Sequence, residues 1–74
     1  MGDGLAARVE CYSGSAYAER PIAIHWEGAR LEVDRVVAQW RVPGGKQFRV
    51  QTRDGQFFLL WYDEQHDTWR IKAA

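Results

Sequence analysis

The chain has 74 residues, 46% hydrophobic and 27% charged, with ten basic side chains balancing ten acidic ones. This is the composition of one small globular domain, and it excludes a disordered chain. Zero formal charge gives no whole-molecule attraction to nucleic acid or anionic lipid, and a single cysteine, Cys11, excludes an internal disulfide framework and a cysteine-based zinc cluster.

A domain of this size buries only about 60% of the surface its unfolded chain exposes. Four Trp, three Tyr and three Phe give it the means to pack a dense core without staples. No run approaches the roughly 18 apolar residues of a membrane span. Met1-Gly2-Asp3-Gly4 lacks the basic and apolar regions of a signal peptide. The expectation is a cytoplasmic domain over residues 1–74 that does not engage membranes, with residues 1–5 and 73–74 frayed.

The pattern between those ends is short alternating runs separated by turn residues, which predicts strands. The first runs from Ala7 to Tyr12, with Ala7, Val9 and Cys11 on one side. Ser13-Gly14-Ser15 breaks it, and a loop through Tyr17-Ala18-Glu19-Arg20 leads to Pro21. In the second run Ile22, Ile24 and Trp26 share a face. Gly28-Ala29 reads as a two-residue type II′ hairpin loop, which sets Trp26 opposite Leu31, Ile24 opposite Val33, and His25 opposite Glu32. The third strand spans about Arg30 to Val42. Leu31 and Val33 are in one phase, and Val36, Ala38, Trp40 and Val42 are in the other. A slip of this kind predicts a β-bulge or sharp bend near Asp34-Arg35. Val33, Val36, Val37 and Trp40 also fit helical spacing, but three valines in that octet favour strand.

Pro43-Gly44-Gly45-Lys46 is a loop. Gln47 to Arg53 and Gln56 to Tyr62 flank Asp54-Gly55, the strongest short-range hairpin signal in the chain. A two-residue type I′ turn there pairs Arg53 with Gln56, Thr52 with Phe57, Val50 with Leu59, and Phe48 with Trp61. That register puts Thr52, Val50, Phe48, Phe57, Leu59 and Trp61 on the core face. It leaves Phe58, Leu60 and Tyr62 on the other. Asp63 to Asp67 is a polar turn, and Thr68 to Lys72 closes the chain, with Tyr62 opposite Trp69 and Leu60 opposite Ile71. The expected architecture is all-β: five to six antiparallel strands in a meander, curled into a small single-domain sheet or barrel of SH3-like or OB-like type.

The sequence resembles a bacterial family of small domains whose function is not established. The residues that carry the likeness are Cys11-Tyr12-Ser13-Gly14, Tyr17-Ala18-Glu19-Arg20-Pro21, Trp26-Glu27-Gly28, Trp40-Arg41, Phe48-Arg49-Val50, Asp54-Gly55, Tyr62-Asp63-Glu64 and Asp67-Thr68-Trp69. They cover nearly all of residues 8 to 71. Some members sit beside lesion-bypass DNA polymerases, so the resemblance implies a DNA-associated accessory role and carries over no catalytic residue.

Three candidate surfaces follow from the residues. The first is apolar: Phe58, Leu60 and Tyr62, with Trp69 opposite, need a cover, either internal or a protein partner or second copy. Internal cover would come from Trp40 and Val42, or from Tyr12. The second is basic. Residues 35 to 53 hold Arg35, Arg41, Lys46, Arg49 and Arg53 with no acid, and arginine interleaved with aromatics on a β surface suits single-stranded nucleic acid. Arg41, Arg49 and Arg53 are its candidates. The plainer reading is that these strands pair with the acidic stretch that follows, and overall neutrality favours it. The third is the Tyr17, Glu19, Arg20, Pro21 loop, either a recognition loop or a structural tie.

Asp63, Glu64, His66 and Asp67 have oxygen ligands but not the spacing of a calcium loop, so a solvated turn is expected and no metal or cofactor. Neither histidine, nor Cys11, nor Ser13-Gly14-Ser15 forms a catalytic signature. The functional expectation is a non-enzymatic protein-interaction or accessory module, with weak nucleic-acid binding as the alternative.

Overall fold

The computed structural model describes residues 8–12 and 20–74. They form six strands: β1 (Arg8–Tyr12), β2 (Arg20–Trp26), β3 (Ala29–Val42), β4 (Gly45–Thr52), β5 (Phe57–Asp63) and β6 (Thr68–Ala73). Every neighbouring pair is antiparallel and the spatial order is β1-β2-β3-β4-β5-β6, a plain meander curled into a half-barrel. Residues 33–40 are strand, as their valines favour.

The long β3 is the hinge of the design. Residues 29–32 pair with β2, and residues 33–42 pair with β4. The register shifts between Val33 and Arg35, where the change of phase predicted a bulge. A second shift lies between Val36 and Ala38. Each bulge adds a residue to one strand and sharpens its bend and twist. The two together let one strand serve both halves of the sheet. The second also corrects the expected phase. Val36 packs on the core, whereas Trp40, opposite Gln47, is turned outward and 46% exposed.

The core lies in the concavity. Val9, Ile24, Phe48, Val50, Phe58, Leu60 and Trp69 are buried together, with Trp26, Leu31 and Val33 packed against them. Trp26 from β2 reaches across to β5, its ring edge-on to Phe58 at 5.2 Å between centroids. This contact closes the two halves on each other. Ile22, expected on the core face, is instead 40% exposed.

The hairpins explain how the faces are set. Between β2 and β3 the loop is Glu27-Gly28, both at positive φ (50° and 84°), as a type I′ turn requires. Glycine occupies the second central position of this turn and not the first of a type II′ turn. Ile24 is therefore opposite Leu31, and His25 opposite Arg30 rather than Glu32. A two-residue slip keeps each side chain on its expected face.

Between β4 and β5 the slip is one residue, and its consequence is larger. Gly55 N donates to Thr52 O at 3.0 Å and Thr52 N to Gln56 O at 2.8 Å. The loop is therefore the three residues Arg53-Asp54-Gly55, a tight turn followed by Gly55 at φ 90°. The Thr52 hydroxyl donates to the Asp54 carboxylate and accepts from Gln56 N at 3.1 Å. Phe48 now faces Leu60, and Val50 faces Phe58. A one-residue slip turns a whole strand over. Phe58 and Leu60 are fully buried, and Phe57, Leu59 and Trp61 point outward.

At the opposite end Pro43-Gly44 joins β3 to β4, and the residues from Glu64 to Asp67 join β5 to β6. Glu64 N donates to Gly44 O at 2.9 Å and ties the two turns together. Tyr62 is opposite Trp69 and Leu60 opposite Ile71, as the sequence predicts. Ala73 belongs to β6 and Ala74 N donates to Phe57 O at 3.0 Å, so these two residues are held and not frayed. Residues 1–5 lie outside the described residues.

Candidate functional site

The outward side of the sheet divides into two surfaces of different chemistry. Over β1, β2 and the first part of β3 it is a web of ion pairs. Glu10 accepts from Arg30 Nε at 2.9 Å and Nη2 at 3.0 Å, and bonds His25 Nε2 at 2.8 Å. Arg30 also reaches Glu32 at 3.3 Å, and Glu32 reaches Arg53 at 3.3 Å. Ala23, flanked by Glu10 and Glu32 in the register, is fully buried. The bidentate Arg30 guanidinium, then His25, holds the Glu10 carboxyl at about 2, below the usual 4.5. Glu10, Arg30, Glu32 and Arg53 are thus linked in one chain of ion pairs.

Over β4, β5 and β6 the outward side is different. The flipped register sets Phe57, Leu59 and Trp61 along β5, each half-buried. On one flank are Gln47, Arg49 and Gln51 of β4, and on the other Arg70 and Lys72 of β6. Trp40 of β3 extends the row through Gln47 to Trp61 and Arg70. Strand spacing places Trp40 and Trp61 about 10 Å apart across the sheet. The Arg49 guanidinium lies over the Phe57 ring, 5.6 Å from its centroid. Arg35 joins from β3, donating to Gln51 Oε1 at 3.0 Å. Arg49, Arg70 and Lys72 make no ion pair among the described residues. A shallow depression of about 520 Å³ continues from Trp61 and Arg70 toward Val42 and Pro43.

The acids nearest this surface are engaged. Asp63 accepts from the backbone N–H of Gln65 at 2.9 Å and of His66 at 3.2 Å, and from His66 Nδ1 at 2.9 Å. The His66 ring and backbone together hold its carboxyl below the usual carboxylate range. Glu64 pairs with Arg41 at 3.1 Å, and Asp67 accepts from the Tyr62 hydroxyl at 2.7 Å. Thr52, then Gln56, likewise lowers Asp54. Among the described residues no three His, Cys, Asp or Glu side chains gather to hold a metal ion.

The structure relocates most of the sequence candidates. Phe58, Leu60 and Trp69 are core, and Tyr62 packs against it with its ring 5.0 Å from that of Trp69. The cover over them is internal, but it comes from Val9, Ile24 and Trp26 and not from Trp40, Val42 or Tyr12. Arg41, Arg49 and Arg53 do not share a surface. Arg41 is committed to Glu64 and Arg53 to Glu32, which leaves Arg49 alone on the aromatic face. The plainer reading, that basic and acidic stretches pair across the sheet, describes Arg41. Arg20 and Pro21 begin β2. Arg20 lies 5.6 Å over the Tyr12 ring and Pro21 is buried opposite Cys11 beside a bulge. Tyr17 and Glu19 lie outside the described residues. Sequence reasoning missed Trp61, Arg70 and Lys72 as surface groups. The signal was present in the alternation of β6, but its face depended on the hairpin register.

Neither family models, nor curated proteins, nor solved structures yield a match to this chain.

Proposed function

We propose that this protein is a non-enzymatic binding module, and that its working surface is the outward face of β4, β5 and β6 extended by Trp40. The observation that supports this reading is the segregation of charge and aromatic surface. On the face around Glu10 the charges of Glu10, Arg30, Glu32 and Arg53 are paired with one another, whereas Arg49, Arg70 and Lys72 flank a strip of half-exposed rings and make no ion pair among the described residues. Apolar strips rimmed by unspent charge are characteristic of association surfaces. A solvated antiparallel sheet would carry polar residues at the positions of Phe57, Leu59 and Trp61. The accessory role implied by the family resemblance is compatible with this reading and does not carry it.

The test is capture from a native extract, with and without nuclease, by three immobilised proteins. Wild type and His25→Ala, which alters only the ion-paired face, should retain the same macromolecules. Arg70→Ser combined with Trp40→Ser should lose them. Equal capture by all three would contradict the proposal.

A further inference from the structure

We infer that the occupant of this face is a single-stranded nucleic acid, an inference that rests on the working surface proposed above. The face offers the two things such a ligand needs at once, cations for phosphates and open rings for bases. Arg35, Arg49, Arg70 and Lys72 provide positive charge on both flanks of β5, and among the described residues no acid lies within ion-pair distance of them. Three of the four are arginines, which fork onto phosphate oxygens and stack on bases. Trp40 and Trp61 supply the open rings, and Phe57 lies beside them with the Arg49 guanidinium over its ring. Trp40 is 46% exposed, and Phe57 and Trp61 are half-buried, so each presents surface while its base is anchored in the sheet. Base-on-ring stacking is tolerant of sequence, because every base has a flat face.

The neutral net charge does not weigh against this. The molecule holds ten acids. Glu10 and Glu32 are absorbed by Arg30, His25 and Arg53 on the other half of the sheet, and the acids nearer this surface are engaged as well, Glu64 by Arg41 and Asp63 by His66. A ligand on the β4–β6 face meets the local field and not the sum. An acidic protein segment would satisfy the cations but would leave the rings without a planar partner. A duplex would satisfy the cations but keeps its bases stacked away from the rings. The amides of Gln47 and Gln51, set between the rings and the arginines, add donors and acceptors for base edges or sugar.

The experiment is a tryptophan-fluorescence titration of the whole chain with an oligothymidylate of about 12 nucleotides, within the site size of small β domains. Ring stacking should quench emission, with affinity in the range of about 1 to 100 μM at low salt. A log–log plot of affinity against salt should slope about −2 to −3, from about −0.7 per phosphate neutralised by three or four cations. Arg49→Ser with Arg70→Ser should shallow that slope by about 1.4. Trp40→Ala, at a position that contributes little to the core, should weaken binding roughly tenfold and leave the slope unchanged. Each variant is checked for wild-type cooperative melting. Three results would overturn the inference: no quench at low salt, equal affinity for polyglutamate or for duplex DNA, or a slope unmoved by the double arginine change. If oligothymidylate fails while the arginine–tryptophan variant still loses its partners from extract, the binding surface stands and its occupant is a protein. If capture and titration both ignore the variants, the surface itself is wrong.

Discussion

Gly45 and Tyr62 meet backbone to backbone: a Cβ at position 45 would stand 1.8 Å from the Tyr62 carbonyl oxygen. That contact lies at the end of β4 where Gly45 is paired with Asp63, beside the bond between the two turns. No flexible side chain is there to yield, so β4 and β5 would have to part. Gly45→Ala should cost about 3 kcal/mol, at the upper end of ordinary overpacking. The thermal midpoint should then fall by more than about 12 °C. A midpoint within about 3 °C of wild type would show that the strands do not approach so closely.

Adjacent residues of β5 should respond in opposite ways to the same charge. Phe58 is fully buried between Val50 and the Trp26 ring, and Leu59 is half-exposed beside Arg49 and Lys72. Phe58→Asp places an unpaired carboxylate in the core and should abolish cooperative unfolding. Leu59→Asp places one between two cations and should leave a cooperative transition shifted by no more than about 1 kcal/mol. The reverse outcome would restore the register in which Leu59 is core.

The sequence made the strands and most turns legible because alternation and turn chemistry are local. The phase reversal along β3 marks a bulge, and Val33 and Arg35 bracket one. What local reasoning missed was arithmetic in the loops. Asp54-Gly55 by itself predicts a two-residue loop, but Arg53 joins it, because Thr52 supplies both the backbone and hydroxyl bonds that close a three-residue turn. That one residue moved Phe58 and Leu60 into the core and Trp61 to the surface. The second bulge, at Val36 and Ala38, moved Trp40 outward for the same reason. The working surface was illegible because it depends on these two shifts together. Arg41 and Arg53 misled because Glu64 and Glu32, their partners, lie 23 and 21 positions away in the chain.

The turn itself gives a further check. Gly55 sits at φ 90° with open space around it, so a side chain there meets backbone strain and no clash. Gly55→Val should cost about 1 to 2 kcal/mol, while Gly55→Asn, which tolerates left-handed backbone better, should cost less. Equal stability of the two would show that residue 55 does not hold this conformation.

Acid should destabilise the fold in a defined window. Arg30, and secondarily His25, holds the Glu10 carboxyl at about 2, against 4.5 without those partners. The unfolded chain therefore takes up this proton first as pH falls. The contribution of Glu10 is fully present above about pH 5 and disappears by about pH 2. Asp54 and Asp63 are lowered as well and act in the same direction. The thermal midpoint should stay level above about pH 5 and decline below it, and Glu10→Gln should flatten part of that decline. An unchanged pH profile in Glu10→Gln would show that the Glu10–Arg30 bridge does not form in solution.

The most direct measurement of the central claim is a map of backbone amide and indole shifts as oligothymidylate is added to the isotope-labelled chain. The perturbations should gather on Arg49, Gln51, Phe57, Leu59, Arg70 and Lys72, and on the indole N–H signals of Trp40 and Trp61. Those of Glu10, His25 and Arg30 should stay still. Shifts concentrated around Glu10 and Arg30, or none at concentrations of about 1 mM, would contradict the assignment of the β4–β6 face as the binding surface for single strands.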